Sequence, residues 1–323
     1  MTEAPKRVAI LGYGNQGAAH ALNLRDAGVP VIVGARAGRE AEARAKSAGF
    51  DSFPLEQAAR RADVVVVLLP DEAVPGAWPE IAVGLHEDTA VVFAHGFNLL
   101  YGDLAFPARA DVVLVSPTGP GRVLRMLYEV GEGLPAYLAV HRDGSGAAWA
   151  LAERYATWLG CARSRLLRTT VREETEVDLF GEQAVLCGGM NALVAAAFDT
   201  LVQAGYSPEI AYLECVHQLK YLADLLHERG PAGLRRAISG TALYGDLTRG
   251  PRIVDDATRR TLAEVLAEVR SGAFAREWRA EVASGRSGLD QRIREAERHP
   301  IEAARRRALG LPESDPPGPG AGR

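Results

Sequence analysis

The chain is poor in the residues that would staple, anchor or strongly charge a protein. Its 323 residues include three cysteines, Cys161, Cys187 and Cys215, odd in number and widely spaced. That pattern indicates neither a disulfide framework nor a zinc site. No sign of charge dominates: 37 Lys and Arg face 41 Asp and Glu, for a net charge of -4. With a pI near 6.0, there is no electrostatic reason to expect nucleic acid or an anionic membrane as partner. The start, MTEAPKRVAI, lacks the apolar core of a signal peptide, and no uninterrupted apolar run approaches membrane-spanning length. No internal repeat stands out. A cytoplasmic protein is expected. What is present is ordinary globular composition, 47% hydrophobic and 24% charged, in a chain long enough for two domains.

The two halves are organised differently. Up to about residue 170, β-rich runs alternate with helical stretches: RVAIL (7–11), VPVIVG (29–34), DVVVVLLP (63–70), DTAVVFAHG (88–96), ADVVLVSP (110–117) and PAYLAVHRD (135–143). Runs this apolar and β-branched suit strands of a parallel sheet buried on both faces. The helical stretches between them stop at Gly28 and Gly49, a usual C-terminal signal. An α/β Rossmann-like domain over 1–175 is expected. Beyond it, 176–310 is rich in Ala, Leu, Glu and Arg with helical spacing, an all-α domain. The tail, 311–323, is Pro/Gly-rich and is expected to be disordered.

The first strand runs into GYGNQG, placing Gly12, Gly14 and Gly17 between a strand and a helix. Gly12 permits the tight turn, Gly14 lets the backbone approach a pyrophosphate, and Gly17 lets helix pack on strand. The phosphates would rest on the helix N-terminus, beside Asn15 and Gln16, where N–H groups and the dipole attract anions. The second strand leads to Arg36 and Arg39, ahead of Glu40 and Glu42. Two arginines suit the 2′-phosphate of NADP. A solvated helix start of mixed charge reads equally well, so NAD stays open.

Other signals lie at strand ends, where open α/β sheets keep their ligands. LLPDE brings Pro70 and Asp71, SPTGPGR brings Thr118 and Gly121, and FAHGFN brings His95. His95 would project into the crevice near a nicotinamide. In the helical half, Asp178 and Glu182 stand four residues apart in VDLFGEQAVL, and Glu214 and Gln218 repeat the spacing in YLECVHQLK. Like charges at that spacing repel on a helix face. They are tolerable with a hard cation such as Mg²⁺ between them, or with arginines elsewhere as partners.

Read together, GYGNQG, LLPDE, FAHGFN, PTGPG, EETEVDLFGEQAVLCGG, GYSPEIAYLECVHQLK, ISGTALYGDLTRGPRI and REAERHPIE resemble, in order, the short bacterial class of ketol-acid reductoisomerases. The resemblance spans nearly the whole chain. It implies a Rossmann domain followed by a knotted helical domain, in a homodimer whose active site draws on both subunits. It implies Mg²⁺-dependent alkyl migration in a 2-acetohydroxy acid, followed by hydride reduction of the 2-keto acid by NADPH. On it, Asp178, Glu182 and Glu214 match metal ligands, Ser239 matches the serine that binds the substrate carboxylate, and His95 matches the active-site histidine.

Three departures accompany the resemblance. Thr118 stands where the family has lysine before GPG, and Gln218 replaces the second glutamate of an E-x-x-x-E pair. ISGTALYG replaces ISNTAEYG, bringing Gly240 and Leu243. A cation and two carboxylates are thereby lost from positions assigned to metal or substrate. Alkyl migration needs a polarised carbonyl and proton movement, so it suffers more than hydride transfer. Three functions are compatible: a diverged reductoisomerase, a paralogue recruited to specialised metabolism with a different substrate (cyclopropanol-type rearrangement or keto or imine reduction), and a non-catalytic dinucleotide-binding protein.

Overall fold

The structure, a computed structural model, describes residues 6–312. The expectation of a disordered tail therefore falls almost wholly outside the described residues. The chain forms two compact units, one running through Val177 and a second beginning at Asp178.

The first unit is built on eight strands: β1 (Val8–Leu11), β2 (Val31–Gly34), β3 (Ser52–Phe53), β4 (Val64–Val67), β5 (Ala90–Phe93), β6 (Val112–Pro117), β7 (Ala136–Arg142) and β8 (Leu166–Arg168). Their order is β3-β2-β1-β4-β5-β6-β7-β8. The chain winds outward one way from β1 and then the other, so the crevice at the carboxyl ends of β1 and β4 is the switch point where such sheets take ligands. β1 shows how the sequence forces the sheet to be covered twice. Val8 and Ile10 enter one hydrophobic cluster, while Ala9 and Leu11 enter the other. Each fully buried valine of β4 adds about 1.5–3 kcal/mol over an exposed one.

Two details differ from the expected parallel sheet. β7 runs antiparallel to β6, and its later residues are less buried than those of β1 or β4. Two short strands extend the edges: β3 is two residues long and β8 three. Neither carries enough residues to show a period.

In the second unit every described element is helical. Two of them are π-turns. At Glu182–Leu186 the Cys187 amide donates to the Glu182 carbonyl at 2.9 Å, and at Leu213–His217 the Gln218 amide donates to the Leu213 carbonyl at 3.2 Å. Each inserts one residue into an α-helix, a feature frequent at functional sites. The helix Leu219–Ala237 is kinked at Gly230, whose φ of 65° precedes Pro231.

The run around Asp178 is not core within one chain. Val185 and Leu186 are 61% and 63% exposed, and Val177 is 57% exposed, while Leu179 is buried. The helical stretch Val171–Gln203 is long and apolar enough to cross a membrane by length and composition, and little of it is buried. An apolar stretch this exposed is characteristic of an interaction surface.

Candidate active site

The glycine loop makes a cradle at the carboxyl end of β1. Gly12 has φ +97°, and a Cβ there would sit 2.7 Å from the Leu68 carbonyl oxygen at the end of β4. A Cβ on Gly17 would lie 2.0 Å from the Gly12 oxygen. Only hydrogen fits at either position. Gly14 is the opposite case: nothing lies within 4 Å of a Cβ there, so its backbone faces open space. It caps the helix Asn15–Asp26, whose N-terminus receives no side-chain cap. A second uncapped N-terminus, that of Gly121–Glu129, lies against the first, since a Cβ on Gly121 would be 2.3 Å from the Asn15 oxygen. Gln16 ties the two together, its Nε2 donating to the Gly119 carbonyl at 3.0 Å. Two helix N-termini converging beside an open glycine are well suited to a pyrophosphate.

Arg36 and Arg39 are exposed just beyond β2. Of the nearby carboxylates, Glu42 is occupied locally: it accepts from the Gly38 amide at 2.7 Å and from Lys46 at 2.6 Å. The Lys46 hydrogen bond, then that of Gly38, holds its carboxyl below the ordinary range. Arg36, Arg39 and Glu40, all exposed, are the groups at this strand end that can meet a ribose substituent.

His95 follows β5, on the same sheet edge. Its Nδ1 lies 2.6 Å from Asp71 Oδ2, and Asn98 Nδ2 donates to Asp71 Oδ1 at 3.0 Å and to the Asp71 carbonyl at 3.1 Å. A carboxylate against Nδ1 keeps the proton there in the neutral ring and fixes the ring's orientation. Asp71, expected at the cofactor, thus has its carboxylate committed to the histidine. Pro70 forms the turn that delivers it.

Beneath His95, Gly96 leaves no room for a side chain: a Cβ would meet Thr175 Oγ1 at 1.9 Å and Glu174 Oε2 at 3.0 Å. Glu174 and Thr175 are 3% and 0% exposed. Glu174 has a signal in the sequence as well. It continues the Asp178–Glu182 spacing backward by one helical turn.

The remaining candidates are positioned as follows. Thr118 is exposed, and both its Oγ1 and its amide donate to the Pro135 carbonyl, at 3.0 and 2.9 Å. Ser239 caps the helix Gly240–Ile253, accepting from the Ala242 amide at 3.3 Å and lying 3.0 Å from the Thr241 hydroxyl. A capped N-terminus of a fourteen-residue helix is a favourable place for a substrate carboxylate. Glu214 lies within the second π-turn and Gln218 just after it; both are exposed. Asp178 is half-buried and Glu182 exposed. Among the described residues, no three acidic, histidine or cysteine side chains gather closely enough to hold a metal ion. Asp178 and Glu182 offer the hard oxygen donors that Mg²⁺ takes, a pair of carboxylates with waters completing the six-coordinate shell.

The sheet order and the glycine cradle define a dinucleotide-binding protein of the doubly wound α/β class. Residues 4–165 match the family acetohydroxy acid isomeroreductase, NADPH-binding domain, and residues 171–309 match ketol-acid reductoisomerase, C-terminal domain. The structure of an NADH-preferring ketol-acid reductoisomerase from an uncultured archean superposes with a TM-score of 0.92 at 36% identity, covering 96% of this chain and 95% of that one. The chain belongs to the ketol-acid reductoisomerase family, whose members are NAD(P)-dependent oxidoreductases. More distant structures share the fold alone. A semialdehyde dehydrogenase NAD-binding protein from Cupriavidus necator matches at TM-score 0.61 and 20% identity, covering 82% of this chain and 99% of that one. Plasmodium falciparum pyrroline carboxylate reductase matches at 0.51 and 13%, covering 84% and 99%.

Proposed function

We propose that the protein is a homodimeric, NADPH- and Mg²⁺-dependent reductoisomerase acting on a 2-acetohydroxy-acid-like substrate, with the reductive half of the reaction stronger than the alkyl migration. The observation that carries this reading is the Asp71–His95 pair on the sheet edge that also bears the glycine cradle. Gly14 and the two helix N-termini hold the pyrophosphate, and Arg36 and Arg39 hold the 2′-phosphate by charge-assisted hydrogen bonds. His95, fixed by Asp71, moves a proton at the substrate oxygen. Ser239 and the helix it caps bind the substrate carboxylate. Asp178, Glu182 and Glu214 hold Mg²⁺, which supplies Lewis-acid polarisation of the substrate oxygens. Because one chain does not gather these carboxylates, a second copy completes the set. The exposed apolar residues Val185, Leu186, Leu193, Tyr244 and Leu247 provide the surface for that copy.

A second reading has a specific observation behind it. Thr118 uses its hydroxyl on the Pro135 carbonyl and brings no charge, and Gln218 and Leu243 add none. Positions so depleted of charge suit a paralogue whose substrate needs reduction, or a cyclopropanol-type rearrangement, rather than migration of an alkyl group. NADPH oxidation measured with 2-acetolactate, with and without Mg²⁺, and with a preformed 2-keto acid separates the two. Mg²⁺-dependent turnover of 2-acetolactate supports the first; turnover of the keto acid alone supports the second. Turnover of neither rules out the first reading and the keto-acid form of the second, leaving only a ring-forming or imine substrate.

A further inference from the structure

We propose that the C-terminal helix Pro300–Leu309 is the template that holds the π-turn Leu213–His217 in register, making His299 and Arg307 positioning residues for the Glu214 carboxylate. The inference rests on the reading above only in taking Glu214 as a Mg²⁺ ligand. A π-turn has poorer backbone geometry than the α-helix that could replace it, so it persists where tertiary contacts impose it. Here they are visible. Leu213 and Val216, on either side of Glu214, pack against a cluster of Phe198, Ala211, Tyr212 and Ala304, which Ile301 and Ala308 of the C-terminal helix also join. Glu214 and Gln218 stay exposed. The turn thus buries one set of side chains under the last helix and presents the other.

Two polar clamps fix the template. At its start, His299 Nδ1 accepts from the Ile301 amide at 3.3 Å, which leaves the proton of the neutral ring on Nε2, 3.3 Å from Asp199 Oδ2. One tautomer therefore serves both bonds: it caps the last helix and ties it to the helix Gly188–Gln203. The ring also packs against Phe198, with centroids 6.0 Å apart. Further along, Arg307 Nε donates to Glu209 on the short helix Pro208–Tyr212, which runs directly into the π-turn. That bond, then one from the Ser207 hydroxyl, pulls the Glu209 carboxyl down to about 2. The clamp therefore stays charged at any ordinary pH. If the template were released and the turn relaxed to α register, Gln218 would bond to the Glu214 carbonyl instead of that of Leu213. Glu214 would then rotate by about 100° relative to the helix that follows.

The test uses the full-length protein with His299→Ala and Arg307→Ala, singly and combined, and Arg307→Lys as the conservative variant. Amide exchange is followed in metal-free protein, and Mg²⁺ and NADPH binding by calorimetry. The expected result is an altered exchange rate at Gln218, as its bond passes from the Leu213 to the Glu214 carbonyl, and Mg²⁺ affinity weakened by about threefold or more, less than the loss of a partner bonded directly to a metal ligand would cause. NADPH affinity should stay within about twofold, since its site lies in the other unit. Arg307→Lys should recover most of both losses. If the combined variant does not fold, Arg307→Ala carries the same comparison. Unchanged exchange at Gln218 and unchanged Mg²⁺ affinity in a folded variant would overturn the proposal. Glu214→Gln separates it from the reading it rests on. If that variant binds Mg²⁺ normally, the ligand assignment fails, while the exchange data still decide whether the last helix sets the turn.

Discussion

In the sheet unit the candidate site is assembled within a single chain. Asp71 grips His95, Asn98 grips Asp71, and Gln16 ties one phosphate-facing helix to the loop that starts the other. In the helical unit, the candidate groups Asp178, Glu182 and Glu214 form no metal-sized group among the described residues. Apolar side chains such as Leu186 and Tyr244 are 63% and 66% exposed. The difference teaches that the two half-sites obey different rules. A dinucleotide cradle needs only backbone shape, which one sheet edge supplies. A dication needs several oxygens from different directions, and the proposed second copy supplies those missing from one chain.

The largest effect is expected where that difference is sharpest. Leu186→Asp places a charge on the exposed apolar face and should convert a dimer into monomers, abolishing Mg²⁺-dependent turnover while NADPH still binds. Light scattering and NADPH titration check it. A Leu186→Asp protein that remains dimeric and active would break the contrast between the units.

Within the sheet unit, Asp71→Asn should lower kcat by about 10²-fold or more, because an amide no longer dictates which histidine nitrogen carries the proton. NADPH affinity should change little, since the Asp71 carboxylate is spent on His95 and Asn98. Steady-state kinetics and a binding titration distinguish this from a cofactor role, which would weaken NADPH instead.

A smaller effect is expected from Arg39→Ala, which should weaken NADPH by about tenfold, the scale of one charge-assisted hydrogen bond of about 1.5 kcal/mol. NADH affinity should be unaltered. Equal losses for both cofactors would show that Arg39 does not recognise the 2′-phosphate and would bring this chain closer to its NADH-preferring relative.

The smallest effect at neutral pH concerns His20, buried on the glycine-loop helix with its Nδ1 2.8 Å from the Tyr155 hydroxyl. Burial pushes its pKa down from 6.5 to about 3. The unfolded chain therefore binds a proton below pH 6.5 that the folded chain refuses. The folded state loses about 1.4 kcal/mol per pH unit between those two values and nothing above them. His20→Gln should flatten the acid limb of a stability curve measured from pH 7 to 4 by denaturant titration. An unchanged limb would show that other groups govern acid unfolding.

The parts of the molecule legible in advance share a short range of cause. Strand runs such as Val64–Val67 declare burial on both faces through their own composition, and the glycine loop declares its turn through spacing. Less legible were features created by partners distant in sequence. β3 and β8 exist because a neighbouring strand offers an edge. β7 reads as one more apolar strand, and its antiparallel direction follows from where the chain re-enters the sheet. Asp71 reads as a cofactor residue by its place at a strand end, and only its 2.6 Å approach to His95, 24 residues away, shows what the carboxylate does.

By itself, the sequence determined the division into a strand-helix half and a helical half, the cradle at Gly12, Gly14 and Gly17, and the family. Each follows from local periodicity, from glycines that no other residue could replace, or from long strings in a fixed order. The tertiary structure alone decided that the carboxylate of Asp71 serves His95, that Glu174 lies buried against Gly96, and that π-turns begin at Glu182 and enclose Glu214. A hydrogen bond across a sheet edge and an extra residue in a helical turn leave no period in the chain. They arise from what packs against it.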